Sequence, residues 1–138
     1  MKKKIVITGG LGYIGTELCK LYSGVSWNHN IFVIDNRFIS ERVNQIRNWN
    51  MEFIQGDILD KDLIQKYCHD ADIVHHLAGV TDVPRTKSES DNSKDEKIKE
   101  VGEKGTQNIL DAISKKCKII FPSTHVVYEG INDVKTDI

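Results

Sequence analysis

Thr8-Gly9-Gly10-Leu11-Gly12-Tyr13-Ile14-Gly15 places four glycines within seven positions. The segment satisfies Gly-x-x-Gly-x-x-Gly through Gly9, Gly12 and Gly15, and Gly-x-Gly-x-x-Gly through Gly10, Gly12 and Gly15. A turn of this kind combines freedom to adopt positive φ, backbone bare enough to approach a pyrophosphate, and close helix–strand packing. A helix starting at its end adds unpaired N–H groups and a positive dipole end, both suited to phosphate. No Gly-Lys-Ser/Thr follows, which argues against a nucleoside triphosphatase loop.

The second candidate is Asp35, 20 residues after Gly15 and at the end of an apolar run. A carboxylate there accepts hydrogen bonds from both adenosine ribose hydroxyls and repels a 2′-phosphate, so NAD is favoured over NADP. Arg37, two residues on, could reach a 2′-phosphate and keeps the NADP alternative open. Without a nucleotide, Asp35 reads as a turn acid at a strand end.

These residues need elements to position them. Lys4–Thr8 is a β-branched run too short for a helix and ends at glycines, which predicts a buried strand. Ile14, Leu18, Leu21 and Tyr22 fall at helical spacing over Tyr13–Tyr22, with Gly24 placed to close that helix. Ile31–Asp35, Met51–Gln55 and Ile73–Leu77 read as further strands, and Asp60 can cap a helix carrying Leu63, Ile64 and Tyr67. Val101, Ile109, Leu110 and Ile113 mark another helix, before a fifth strand at Lys118–Phe121. This alternation predicts an α/β fold. Its form is a Rossmann-like, doubly wound parallel sheet in three layers (α/β/α), order 3-2-1-4-5, with the glycine turn at the switch point. One dinucleotide-binding domain over residues 1–138 fits the length. Arg85–Glu100 holds a single apolar residue, Ile98, and reads as a solvated loop running into exposed helical turns. His75 and His76 are adjacent on a strand and face opposite ways, so they do not form a metal pair, and no metal is expected.

The composition excludes several classes. Nineteen basic against 20 acidic residues give a net charge of −1, so charge makes no case for nucleic acid or an anionic membrane as partner. No apolar run is long enough to span a membrane. Ile5–Ile7 after three lysines is too short for a signal-peptide core. Three cysteines (Cys19, Cys68 and Cys117) with no Cys-x-x-Cys read as buried reduced thiols, which fits a cytoplasmic location.

TGGLGYIG (Thr8–Gly15), VIDN (Val33–Asn36), GDILD (Gly56–Asp60), HLAG (His76–Gly79) and PSTHVVYEG (Pro122–Gly130) occur in order. Together they resemble the extended short-chain dehydrogenase/reductases, specifically the NAD-dependent epimerases and dehydratases that act on nucleotide sugars. The resemblance implies roles residue by residue. Tyr13 and Ile14 match backbone contacts to the pyrophosphate, and Asn36 completes the motif around Asp35. Asp57 would accept from the adenine amino group, with Ile58 against the ring. Leu77, Ala78 and Gly79 would line the cofactor, and Thr124 stands at the position of the catalytic Ser/Thr that orients the sugar. His125 matches no role in that family. Gly105, Thr106 and Asn108 fit the pattern of the long helix.

The departures are informative too. Gly102 replaces an asparagine of that helix, Glu129 interrupts the final motif, and no Tyr-x-x-x-Lys occurs in the 138 residues. Members of the family are much longer. The chain is therefore expected to represent their N-terminal cofactor-binding portion, to bind NAD weakly and to turn over nothing alone. The alternatives are a non-catalytic dinucleotide-binding module and an NADP-dependent reductase of the same superfamily. The full-length family often dimerises, and this chain is expected to associate weakly or not at all.

Overall fold

A computed structural model describes residues 2–79 and 92–123. Thr124, the motif residues beyond it and residues 85–91 of the charged segment lie outside the described residues. The strands are β1 (Lys4–Thr8), β2 (Asn30–Asp35), β3 (Glu52–Gln55), β4 (Ile73–His76) and β5 (Lys118–Ile120). The helices are α1 (Tyr13–Tyr22), α2 (Ser40–Asn48), α3 (Lys61–Cys68) and α4 (Asn92–Ala112), with a 3₁₀ turn at Ser26–Asn28. The five strands form one sheet of order β3-β2-β1-β4-β5, and every pairing is parallel. The expected fold is borne out, with strand limits within a residue of those read from the sequence.

Alternation along the strands divides the core into two layers. Ile5 and Ile7 of β1 with Ile31 and Val33 of β2 face Cys19 of α1 and Val43 and Ile46 of α2. Val6, Ile34 and Val74 face the other way, against Ile64 and Cys68 of α3 and Ile109 and Ala112 of α4. Each fully buried branched side chain of this set contributes about 1.5–3 kcal/mol of transfer free energy. Strands lined by apolar residues on both sides need helices on both sides, which is why the runs read as continuous rather than alternating.

β1 lies between β2 and β4, so the chain leaving its C-terminal end enters the crevice where the strand order reverses. The register brings Thr8 opposite Ile34 on one side and His76 on the other. Three chain segments at the strand ends (Thr8–Gly9, Asp35 and His76–Leu77) therefore meet at one place.

One local expectation is corrected, and one helix is new. Gly24 does not close α1 in a left-handed turn. Ser23 caps it in right-handed conformation, its N–H and its hydroxyl both bonding the Lys20 carbonyl, and the chain continues into the 3₁₀ turn. Helix α2 was not expected from the sequence. It buries only Val43 and Ile46 over nine residues, too few for a visible helical period. Asp60 caps α3 as expected, accepting from the Leu63 N–H at 3.2 Å.

Candidate functional site

The turn after β1 uses each glycine differently. Gly9 has φ +70°, and a Cβ there would stand 2.7 Å from the Ala78 nitrogen and 2.8 Å from the Leu77 carbonyl carbon. Both its conformation and its contact with the chain leaving β4 require glycine. On Gly15 a Cβ would meet the Gly9 oxygen at 2.4 Å and the Gly10 Cα at 2.6 Å, so this glycine seats α1 on the turn. Gly10 fits against the Val33 side chain, where a Cβ would lie 2.1 Å from Cγ1.

Gly12 is different. A Cβ there would have only the Gly9 oxygen at 3.3 Å and Arg37 Nη2 at 3.9 Å as close neighbours. Gly12 caps α1, and the first bond of the helix runs from the Thr16 N–H to the Gly12 carbonyl at 2.9 Å. The N–H groups of Tyr13, Ile14 and Gly15 precede that ladder and belong to the helix end, where an anion is favoured. The side chains of Tyr13 and Ile14 are exposed, which leaves their backbone N–H groups as what they present at the helix end. Bare backbone at Gly12 beside a ten-residue helix's N-terminus forms a cradle that a side chain would obstruct. The residues present therefore fit a pyrophosphate.

Asp35 ends β2 beside this cradle, its side chain 3% exposed. Oδ2 accepts the Leu11 N–H at 3.0 Å, and Oδ1 accepts the Arg37 N–H at 3.0 Å. The Arg37 guanidinium adds contacts of 3.3 Å from Nε to Oδ1 and 3.4 Å from Nη2 to Oδ2. Asp35 therefore ties the glycine turn to β2. Arg42 of α2 donates to the Leu11 carbonyl, and its guanidinium lies over the Tyr13 ring, 5.8 Å from the centroid. The contacts of Leu11 and Arg42 were not visible in the sequence. They depend on α2 returning to the turn.

On the other side of β1, the buried Thr8 and His76 form a chain with the half-buried Thr106. Thr8 Oγ1 lies 2.8 Å from His76 Nδ1, and His76 Nε2 lies 3.0 Å from Thr106 Oγ1. Thr8 Oγ1 also accepts the Ala78 N–H at 3.2 Å, and the Leu77 N–H donates to the Thr8 carbonyl at 3.2 Å. The network thus ties Leu77 and Ala78 to β1 and, through α4, fixes the wall leading to the exposed Gly79. His75 turns to the opposite face, its Nε2 2.8 Å from the Tyr22 hydroxyl. Burial pushes both histidines below their ordinary pKa.

The remaining predicted residues are dispersed along the strand ends. Asn36 is exposed and offers its carbonyl to Gln55 at 3.4 Å. Asp57 is exposed at the end of β3, with Oδ1 accepting the Leu59 N–H at 2.9 Å. Ile58, expected against an adenine ring, turns its side chain inward. It is 5% exposed and packs into the core beneath α4, where a Cβ on Gly105 would stand 2.3 Å from its Cδ1. Its carbonyl accepts from Asn108 Nδ2 at 2.9 Å. Gly105, Thr106 and Asn108 therefore dock α4 onto the strand ends. Thr124, the expected catalytic residue, lies outside the described residues.

A glycine cradle at a helix N-terminus, flanked by an acid at the end of β2 and seated at the switch point of a parallel sheet, defines a dinucleotide-binding fold. The sequence pattern of the 3-beta hydroxysteroid dehydrogenase/isomerase family matches residues 6–136, and the chain belongs to that family. The UDP-N-acetyl-alpha-D-glucosaminuronate decarboxylase of Bacillus cytotoxicus is 35% identical over 130 residues, covering 93% of this chain and 38% of the relative. The UDP-N-acetylglucosamine 4-epimerase from Methanobrevibacter ruminantium, solved with UDP-N-acetylmuramic acid, superposes with a TM-score of 0.71 at 26% identity. That match covers 99% of this chain and 44% of the epimerase. The UDP-glucose-4-epimerase of Stenotrophomonas maltophila, solved with NAD and formylated UDP-arabinopyranose, gives a TM-score of 0.69 at 22% identity over 91% of this chain and 38% of that one. The chain thus spans about two fifths of these relatives. The resemblance to nucleotide-sugar epimerases and dehydratases is borne out.

Proposed function

We propose that these residues are the cofactor-binding part of an NAD-dependent enzyme acting on a nucleotide sugar, an epimerase or dehydratase. The observation that carries the reading is the open backbone of Gly12 at the N-terminus of α1, with Asp35 beside it. The N–H groups of Tyr13 and Ile14 would bind the pyrophosphate, and Asp35 the adenosine ribose. Asp57 would receive the adenine amino group, next to the backbone of Ile58. Leu77, Ala78 and Gly79 would form the wall along which the cofactor lies, positioned by Thr8 and His76. The nicotinamide supplies a hydride acceptor when bound. Thr124, which follows β5 in sequence, would hydrogen-bond the reacting sugar oxygen. The NAD found in the Stenotrophomonas epimerase and the nucleotide-sugar substrates of the relatives support this assignment.

The acid–base tyrosine and lysine that the family resemblance implies are not among the 138 residues. Such a group typically contributes about 10²–10⁴ in rate. The chain alone is therefore expected to bind NAD and not to turn over a sugar nucleotide. Calorimetric titration of NAD into the wild-type chain and into Gly12→Val tests the binding half. Saturable binding that Gly12→Val abolishes supports it, and equal behaviour of the two proteins refutes it. Epimerase or dehydratase turnover by residues 1–138 alone would refute the other half.

A further inference from the structure

The glycine turn and Asp35 stand at the C-terminal ends of β1 and β2, whereas the described residues enclose a second concavity at the opposite end of the sheet. This groove of about 590 Å³ opens at the N-terminal ends of β2 and β3 and has the size of a small-molecule site. The chain entering β1 and β2 supplies Lys2, His29 and Asn30 to its lining. The end of α2 and the start of β3 supply Arg47, Asn50 and Glu52, and the surface of the groove is mostly polar.

Local bonds prepare this lining for an anion. His29 Nδ1 accepts the Lys3 N–H at 3.2 Å, so the proton of the neutral ring sits on Nε2 as a donor. The Asn30 N–H bonds the Lys3 carbonyl at 2.9 Å, and together the two bonds fix the backbone next to Lys2. Asn50, at φ 60°, ends α2 in a Schellman turn. Its N–H bonds the Arg47 carbonyl at 3.0 Å, and the Met51 N–H bonds the Ile46 carbonyl at 3.2 Å. These bonds engage carbonyls whose partial negative charge would otherwise oppose an anion at this helix end. Among the described residues neither Lys2 nor Arg47 is in an ion pair, so the groove holds two positive charges against the single carboxylate of Glu52.

We infer that this groove is a binding site, separate from the dinucleotide site, for a phosphate monoester of a small polyol. Lys2, Arg47 and the His29 Nε2–H hold the phosphate, whose three terminal oxygens accept from donors on different chain segments. The carboxamides of Asn30 and Asn50 and the Glu52 carboxylate take the hydroxyl groups, so the acid finds donors in the same ligand.

The test follows backbone amide shifts by NMR while glycerol 3-phosphate, inorganic phosphate or glycerol is titrated into the wild-type chain, Lys2→Gln, Arg47→Gln and Gly12→Val. A thermal melt of each protein is the folding control. Glycerol 3-phosphate is expected to bind saturably, to shift the amides of His29, Ile31 and Glu52, and to bind about threefold or more tighter than inorganic phosphate. Lys2→Gln and Arg47→Gln are each expected to weaken it by about fivefold or more. Gly12→Val, which fills the pyrophosphate cradle, is expected to change it by less than about twofold. The inference is overturned if the folded wild type shows no saturable shift, or if Lys2→Gln and Arg47→Gln bind as the wild type does. Loss of binding in Gly12→Val also overturns it, because the phosphate then sits in the cradle and the dinucleotide reading stands. Equal affinity for inorganic phosphate and glycerol 3-phosphate, or equal binding of glycerol, overturns the match to a polyol phosphate.

Discussion

Replacing Gly9 or Gly12 with alanine separates the two tasks of the glycine turn. At Gly9, φ is +70°, and holding a side chain in left-handed backbone costs about 1–2 kcal/mol. The added Cβ would also stand 2.7–2.8 Å from backbone atoms of Leu77 and Ala78. Relieving that overlap means moving the chain that leaves β4, at about 1–3 kcal/mol. Gly9→Ala is therefore expected to lose about 2–5 kcal/mol, a large part of the 5–15 kcal/mol typical of a domain. At a few degrees per kcal/mol, its melting temperature is expected to fall by about 10 °C.

Gly12 has φ −74° and ψ 177°, which any residue adopts, and its nearest neighbour to a new Cβ is 3.3 Å away. Gly12→Ala is expected to cost about 1 kcal/mol or less of stability, as at an ordinary helix N-cap. Its methyl group would stand in the pyrophosphate cradle, and NAD affinity is expected to fall by about tenfold or more. Urea unfolding followed by circular dichroism, with calorimetric NAD titration of each variant, measures both effects. The reasoning is refuted if Gly9→Ala is as stable as the wild type, or if Gly12→Ala loses as much stability as Gly9→Ala and keeps its NAD affinity.

Three further outcomes follow from the buried polar groups and thiols. His76→Ala removes the ring between the Thr8 and Thr106 hydroxyls and is expected to cost about 2–4 kcal/mol in urea unfolding, from unpaired buried groups and the cavity left behind; a loss below about 0.5 kcal/mol would show that the network holds little. His75 and His76 have folded pKa values pushed down by burial, so the unfolded chain binds more protons as pH falls through about 6.5. Stability is thus fully present above that pH and lost below it, by at most about 1.4 kcal/mol per pH unit per histidine, and His75→Gln/His76→Gln is expected to flatten this loss between pH 7.5 and about 5. Burial pushes the thiols of Cys19 and Cys68 up to about 12, whereas Cys117 is half-buried, so a maleimide at about pH 8 is expected to label Cys117 first. Mass spectrometry that finds all three labelled together in the folded chain would contradict the packing around α1 and α3.

Much of the scaffold is determined by short-range chemistry and is legible in the residues alone. β-branched runs ending at glycine, a carboxylate placed to cap α3 and apolar residues at helical spacing each act within a few positions. Parallel strand order follows from their alternation with helices, and the glycine turn with Asp35 follows from the spacing a dinucleotide requires. Helix α2 is not legible in the sequence because two buried residues in nine leave no periodic signal, although that helix carries Arg42 to the glycine turn. The positive φ of Gly9 needs the backbone of Ala78, 69 residues away in sequence, to become a necessity rather than an option. Ile58 belongs to the core because Gly105 of α4 leaves room above it, a complementarity that no local pattern encodes. The pairing of Asp35 with Arg37 needs only two residues of separation, yet its position over Gly12 depends on where the sheet ends. Local propensity determined every element but α2, and tertiary packing decided which polar groups meet, because hydrogen bonds and charge pairs depend on distances that only the folded sheet brings into range.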